Sequence, residues 1–78
     1  MGTYYENNKL HRDNDLPAIE CDNGFKEWYQ FGLRHRADDK PATITSHGTQ
    51  CWSINGKLHR DNNPAIINAD KSTYWYQH

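Results

Sequence analysis

The sequence predicts an all-β protein, an antiparallel β-meander of about three 24-residue hairpin repeats closed by a terminal strand. Three observations carry this. First, His-Arg recurs at 11–12, 35–36 and 59–60, a spacing of 24 each time, and is followed by Pro17-Ala18, Pro41-Ala42 and Pro64-Ala65. A fixed period in this range marks a repeat architecture. Second, Asn55-Gly56 lies between apolar and β-branched neighbours, a strong sequence signal for a two-residue type I′ hairpin, because both central positions need positive φ. Third, no window shows apolar residues at helical period, so no substantial helix is expected.

The elements follow from this alignment. Repeats span about 4–27, 28–51 and 52–74, and a terminal strand spans 74–78, so residues 1–78 form one repeat domain. Tyr4, Trp28, Trp52 and Trp75 open successive first arms, and Asn7-Asn8, Phe31-Gly32 and Asn55-Gly56 turn them back. A second turn is expected at Asp22-Asn23-Gly24, His47-Gly48 and Asp70-Lys71. Each unit is therefore two turns and two extended arms. The second arm is interrupted ahead of Pro17, Pro41 and Pro64, since proline lacks a ladder donor and needs a bulge or break. A two-residue loop at Asn55-Gly56 sets Ile54 opposite Lys57, Ser53 opposite Leu58 and Trp52 opposite His59. The same rule sets Trp28 opposite His35 and Tyr4 opposite His11. Strict alternation then predicts Arg12, Arg36 and Arg60 on the other face with Leu10, Leu58, Ile44 and Ile67, and Ile19 and Ile66 on the tryptophan face.

Composition limits the function classes. The chain of 78 residues has mean hydropathy −1.15 and a net charge of −1. Its longest apolar run is far short of the roughly 20 residues of a membrane helix or the about 7–15 of a signal peptide core, so no membrane association is expected and the location expected is the cytoplasm of a host cell. Near-neutral charge argues against a binder of duplex phosphate backbones. The aromatic content of 13% argues against disorder. Cys21 and Cys51 are too few for a disulfide scaffold and are read as free thiols.

The unit Trp-x-x-Asn-Gly-Lys-Leu-His-Arg followed by Pro-Ala-Ile, as at Trp52–Ile66, resembles the variant MORN-type repeat of small phage and giant-virus proteins, over essentially the whole chain. The resemblance implies an elongated antiparallel sheet. It also implies a phage-type factor that binds and blocks a host protein, plausibly of an antiviral defence system.

The chemistry-bearing residues recur with the repeat, whereas catalytic constellations are asymmetric. Three histidines on alternate strands of a flat sheet lie roughly 9–10 Å apart, too far to share a metal, so neither a metal nor another cofactor is expected. His59-Arg60-Asp61 echoes a kinase loop without the other kinase motifs, and adjacent Asp38-Asp39 reads as a solvated turn. The protein is therefore read as no enzyme. The candidate binding set is His11, Arg12, Trp28, His35, Arg36, Trp52, His59, Arg60 and Trp75. Two kinds of partner follow from it. A thin meander leaves an apolar face uncovered, which implies a protein partner or a homodimer. Alternatively, the arginines hold phosphates and the aromatics hold bases of a nucleotide or RNA ligand. If they do neither, the arginines pair with Asp13, Asp38 and Asp61.

Overall fold

A computed structural model describes residues 2–75. Among them there is no helix, and thirteen two-residue strands form antiparallel ladders: β1 (Gly2–Thr3), β2 (Tyr5–Glu6), β3 (Lys9–Leu10), β4 (Ile19–Glu20), β5 (Lys26–Glu27), β6 (Tyr29–Gln30), β7 (Leu33–Arg34), β8 (Thr43–Ile44), β9 (Gln50–Cys51), β10 (Ser53–Ile54), β11 (Lys57–Leu58), β12 (Ile66–Ile67) and β13 (Thr73–Tyr74). Seven of them make one sheet in the order β1-β4-β5-β8-β9-β12-β13, and β2-β3, β6-β7 and β10-β11 form three separate hairpins. Each unit thus contributes a hairpin at one end and two strands to the sheet at the other. The expected first arms are present but broken in two at Tyr4, Trp28 and Trp52. Part of the expected terminal strand is seen as β13, while Tyr76–His78 lie outside the described residues.

The turns explain the strand limits. Asn7-Asn8, Phe31-Gly32 and Asn55-Gly56 all have positive φ at both positions, 51° and 86° in the second pair, as a type I′ turn requires. At the sheet end, three-residue loops close Cys21 onto Phe25, Thr45 onto Thr49 and Asn68 onto Ser72. Their third residues Gly24, Gly48 and Lys71 take the left-handed conformation. Before each proline the chain turns again through left-handed residues, Asn14-Asp15, Asp38-Asp39 and Asn62.

The hairpin register holds, with Ile54 opposite Lys57 and Ser53 opposite Leu58. The backbone pairing of His11 with Tyr4, His35 with Trp28 and His59 with Trp52 is also present. The face assignment needs correction. Ile19, Glu27, Thr43, Cys51 and Ile66 are successive partners across the sheet and share one face. Glu27 bonds Tyr29, whose hairpin partner is Arg34, so this face continues onto the hairpins, and by repeat equivalence it carries Leu10 and Leu58. Trp28 and Trp52 lie on the other face together with Arg36 and Arg60, which cover them. Strict alternation fails because the second arm leaves the ladder after His11, His35 and His59 to make the proline turn, which rotates the arginines to the tryptophan side.

The core is small: Ala18, Ala42 and Ala65 are fully buried, and Trp28 and Trp52 nearly so. The Trp28 and Trp52 amides donate to the Ala42 and Ala65 carbonyls, which ties each tryptophan to the second arm of its own unit. The Cα trace measures 35 × 29 × 16 Å, and among the described residues the seven-stranded sheet and its three hairpins form a slab without a helix on either face.

Two glycines separate backbone strain from packing. Gly48 has φ of +94° with open space around a Cβ, whereas Gly56 has φ of +85° and a Cβ there meets Leu33 Cδ2 at 3.3 Å. Urea unfolding of Gly48→Ala is expected to show a loss of about 1 kcal/mol from left-handed strain alone. Gly56→Ala is expected to lose more, because Leu33 of the preceding hairpin must also move; equal losses would show that the hairpins do not pack on one another.

Candidate functional site

The sequence-predicted residues converge on the joints between units, and each joint is built the same way. Arg36 lies 3.7 Å above the Trp28 ring, and Arg60 lies 3.7 Å above Trp52. Arg12 stands at the same height over Tyr4. Each guanidinium also donates Nη1–H to the carbonyl of its own unit's proline, at 3.3 Å to Pro17, 3.0 Å to Pro41 and 3.1 Å to Pro64. The remaining edge reaches back 21 residues: Arg36 binds both carboxylate oxygens of Asp15 at 2.9 and 3.3 Å, and Arg60 binds Asp39 at 2.8 and 3.3 Å. This fork-to-carboxylate geometry is the strong bidentate form of the pair. The indoles complete the joint, with Trp28 Nε1–H donating to the Asp15 carbonyl and Trp52 Nε1–H to that of Asp39.

The acids that grip the arginines are therefore in the preceding unit. Asp13 and Asp61, the acids expected beside Arg12 and Arg60, instead face the histidines, with His11 Nε2 2.7 Å from Asp13 and His59 Nε2 3.1 Å from Asp61. Asp38 lines the clefts between units. Arg12, with no preceding unit among the described residues, stands 3.6 Å from Glu20. Asp15 and Asp39 are not among the sequence-predicted site residues, since each acts on the unit that follows its own. A signal was available, since both lie 13 residues before a tryptophan and 21 before an arginine. Hydrogen bonds from Arg36 and Lys40 hold the Asp15 carboxyl down at about 2, and the bond from Arg60 lowers Asp39.

The histidines join the hairpins. Phe31 N–H donates to His11 Nδ1 at 3.0 Å and Asn55 N–H donates to His35 Nδ1 at 3.1 Å, alongside Gly32 N–H to the Leu10 carbonyl and Gly56 N–H to that of Arg34. The His11 ring packs on Phe31 with centroids 4.4 Å apart. The predicted aromatic–histidine pair is thus a backbone pair; the arginine takes the indole face, and the imidazole turns to the next unit.

Glu6, His11 and Asp13 bring three ligand atoms within 4.8 Å of one another. An Nδ1 that accepts Phe31 N–H leaves the proton on Nε2, and that proton points at Asp13 and at Glu6, 3.3 Å away. A metal at Nε2 would have to displace this proton, and a neutral ring would then carry its proton on Nδ1, against the Phe31 N–H. The cluster is built for hydrogen bonding.

Between units lie two equivalent clefts. The larger, about 360 Å³, is bordered by Trp52, Arg60, His59 and Asp39; the other, about 270 Å³, by Trp28, Arg36, His35 and Asp15. Trp75, the next in the series, is 59% exposed where Trp28 and Trp52 are buried. Searches against family models, curated proteins and solved structures find no significant match for this chain.

Two measurements check this geometry. Stability from Asp15 is expected in full above the ordinary carboxylate value of 3.8 and to be lost as pH falls toward about 2. Urea unfolding across that window should show a steep acid loss for the native chain and a shallower one for Asp15→Asn; parallel curves would remove the Arg36 pair from the joint. Long-range ¹⁵N–¹H spectra at pH 8 should show His11 and His35 as Nε2–H tautomers, and an Nδ1–H form would rule out the hairpin bonds.

Proposed function

We propose that this protein is a non-catalytic binding protein that engages a protein partner through its hairpins, as a small phage-type factor that occupies and blocks a host defence protein. The observation that carries the reading is how side chains are divided between joint and surface. His11, His35, Arg36, Trp28 and Trp52 are engaged in holding units together. By contrast, Phe31 is 62% exposed, Tyr5 64% and Leu33 50%, all on the hairpins. Large apolar groups held out on a rigid single layer are the composition of a protein contact surface. The phage-type and host-target part of the reading rests on the resemblance of the repeat to MORN-type units.

The same division weakens the nucleotide alternative. One face of each indole is covered by a guanidinium at 3.7 Å and the rest is buried, so a base has no ring to stack on at Trp28 or Trp52.

Phe31→Asn tests the proposal: φ of 51° suits asparagine, which offsets the loss of the ring contact with His11. The variant is expected to stay folded, with the backbone bond from residue 31 to His11 kept, while its capture of a host protein falls at least about tenfold. Undiminished capture by a folded Phe31→Asn chain would overturn the hairpin surface as the contact.

A further inference from the structure

The face opposite the tryptophans departs from the repeat in one place. In the first unit it carries Tyr5, Leu10 and Ile19, and in the third Leu58 and Ile66 with Tyr74 beyond. In the middle unit the equivalent positions hold a polar cluster. Tyr29 OH donates to Glu27 Oε1 at 3.2 Å, Thr43 Oγ1–H donates to Glu27 Oε2 at 3.0 Å, and Arg34 Nε stands 3.2 Å from Glu27 Oε2. Glu27 and Thr43 are buried, Arg34 is 40% exposed, and Ser53 Oγ beside them is buried with no hydrogen-bond partner among the described residues. A face with an ion pair at its centre and apolar groups on both flanks is not explained by the joints, which all lie on the other side.

We propose that this face is the interface of a twofold homodimer, which goes beyond the hairpin contact proposed above and shares with it Tyr5 but not Leu33. An isologous interface must be self-complementary. A twofold axis along the strands, between the two arms of the middle unit, lays the first unit of one copy over the third unit of the other. It sets Tyr5 against Leu58 of the partner subunit and brings Arg34 over Tyr29 of the partner subunit, beside the edge of the Glu27 pair. Two copies of the pair then form an alternating four-charge cluster, and the apolar flanks cover each other. The slab face of 35 × 29 Å matches the roughly 800 Å² per partner that a stable dimer buries. A sandwich of two such sheets also supplies the second layer that the single chain lacks.

Sedimentation equilibrium of the full chain from about 1 to 500 μM is expected to show a dimer, either throughout or in equilibrium with monomer at the low end. Arg34→Glu and Glu27→Arg should each be monomeric alone and should dimerise when mixed, because only the mixture restores opposite charges across the axis. Leu58→Glu, which leaves the ion pair intact, should raise the dissociation constant at least about tenfold. In a Cys21→Ser background, alkylation of Cys51, which lies on this face, should slow as protein concentration rises. Leu58→Glu and the Cys51 rate decide the matter if the charge variants fail to fold. A chain monomeric throughout the range, or a dimer indifferent to Leu58→Glu with Cys51 unprotected, would overturn the proposal.

Discussion

The guanidinium clasp is the interaction on which the rest depends. Arg36 and Arg60 each satisfy four demands at once: they cover an indole, satisfy a proline carbonyl, bind a carboxylate of the unit before and fix the turn that presents it. A sheet of two-residue strands with alanine at its centre buries too little apolar surface to order itself by burial alone. The clasp adds directional contacts across every joint, and its planarity is what lets one side chain meet a ring above and a carboxylate at its edge. Lysine has neither the plane nor the fork.

Local turn chemistry serves that clasp. Asp15 and Asp39 stand at φ of 57°, a conformation that aspartate and asparagine tolerate better than most residues. In it the backbone carbonyl meets the next indole while the side chain meets the next arginine. Strain in the loop and attraction across the joint are therefore one design. The acidic residues cannot be judged by the loop in which they lie.

Much of this was legible in the sequence. The 24-residue period, the hairpin at Asn55-Gly56, the loops at Gly24 and Gly48 and the break at each proline were all readable, because each depends on local backbone preference. The second half of each unit was not. Two-residue periodicity assigns faces only while the chain stays in the ladder, and after His11, His35 and His59 it leaves. Arg36 and Arg60 therefore lie on the face opposite to the one alternation predicts, and their acids lie one unit back. Histidine is a related case: its backbone pairs within the hairpin as expected, but the His11 and His35 rings reach the following hairpin, and strand pairing alone carries no information about that contact.

The 21-residue reach of each clasp also makes the fold additive in whole units. Removing residues 16–39 would join Asp15 to Lys40 and leave Arg60 the same covalent distance from Asp15 that Arg36 now has, with Trp52 still 13 residues past the acid whose carbonyl it needs. A cut of any other length would shift the arginine, the indole and the histidine out of phase together. The clasp therefore stays in phase when the chain lengthens or shortens by an entire module, although the Glu27 cluster of the middle unit does not repeat, while a single inserted residue inside the clasp falls on every joint partner at once.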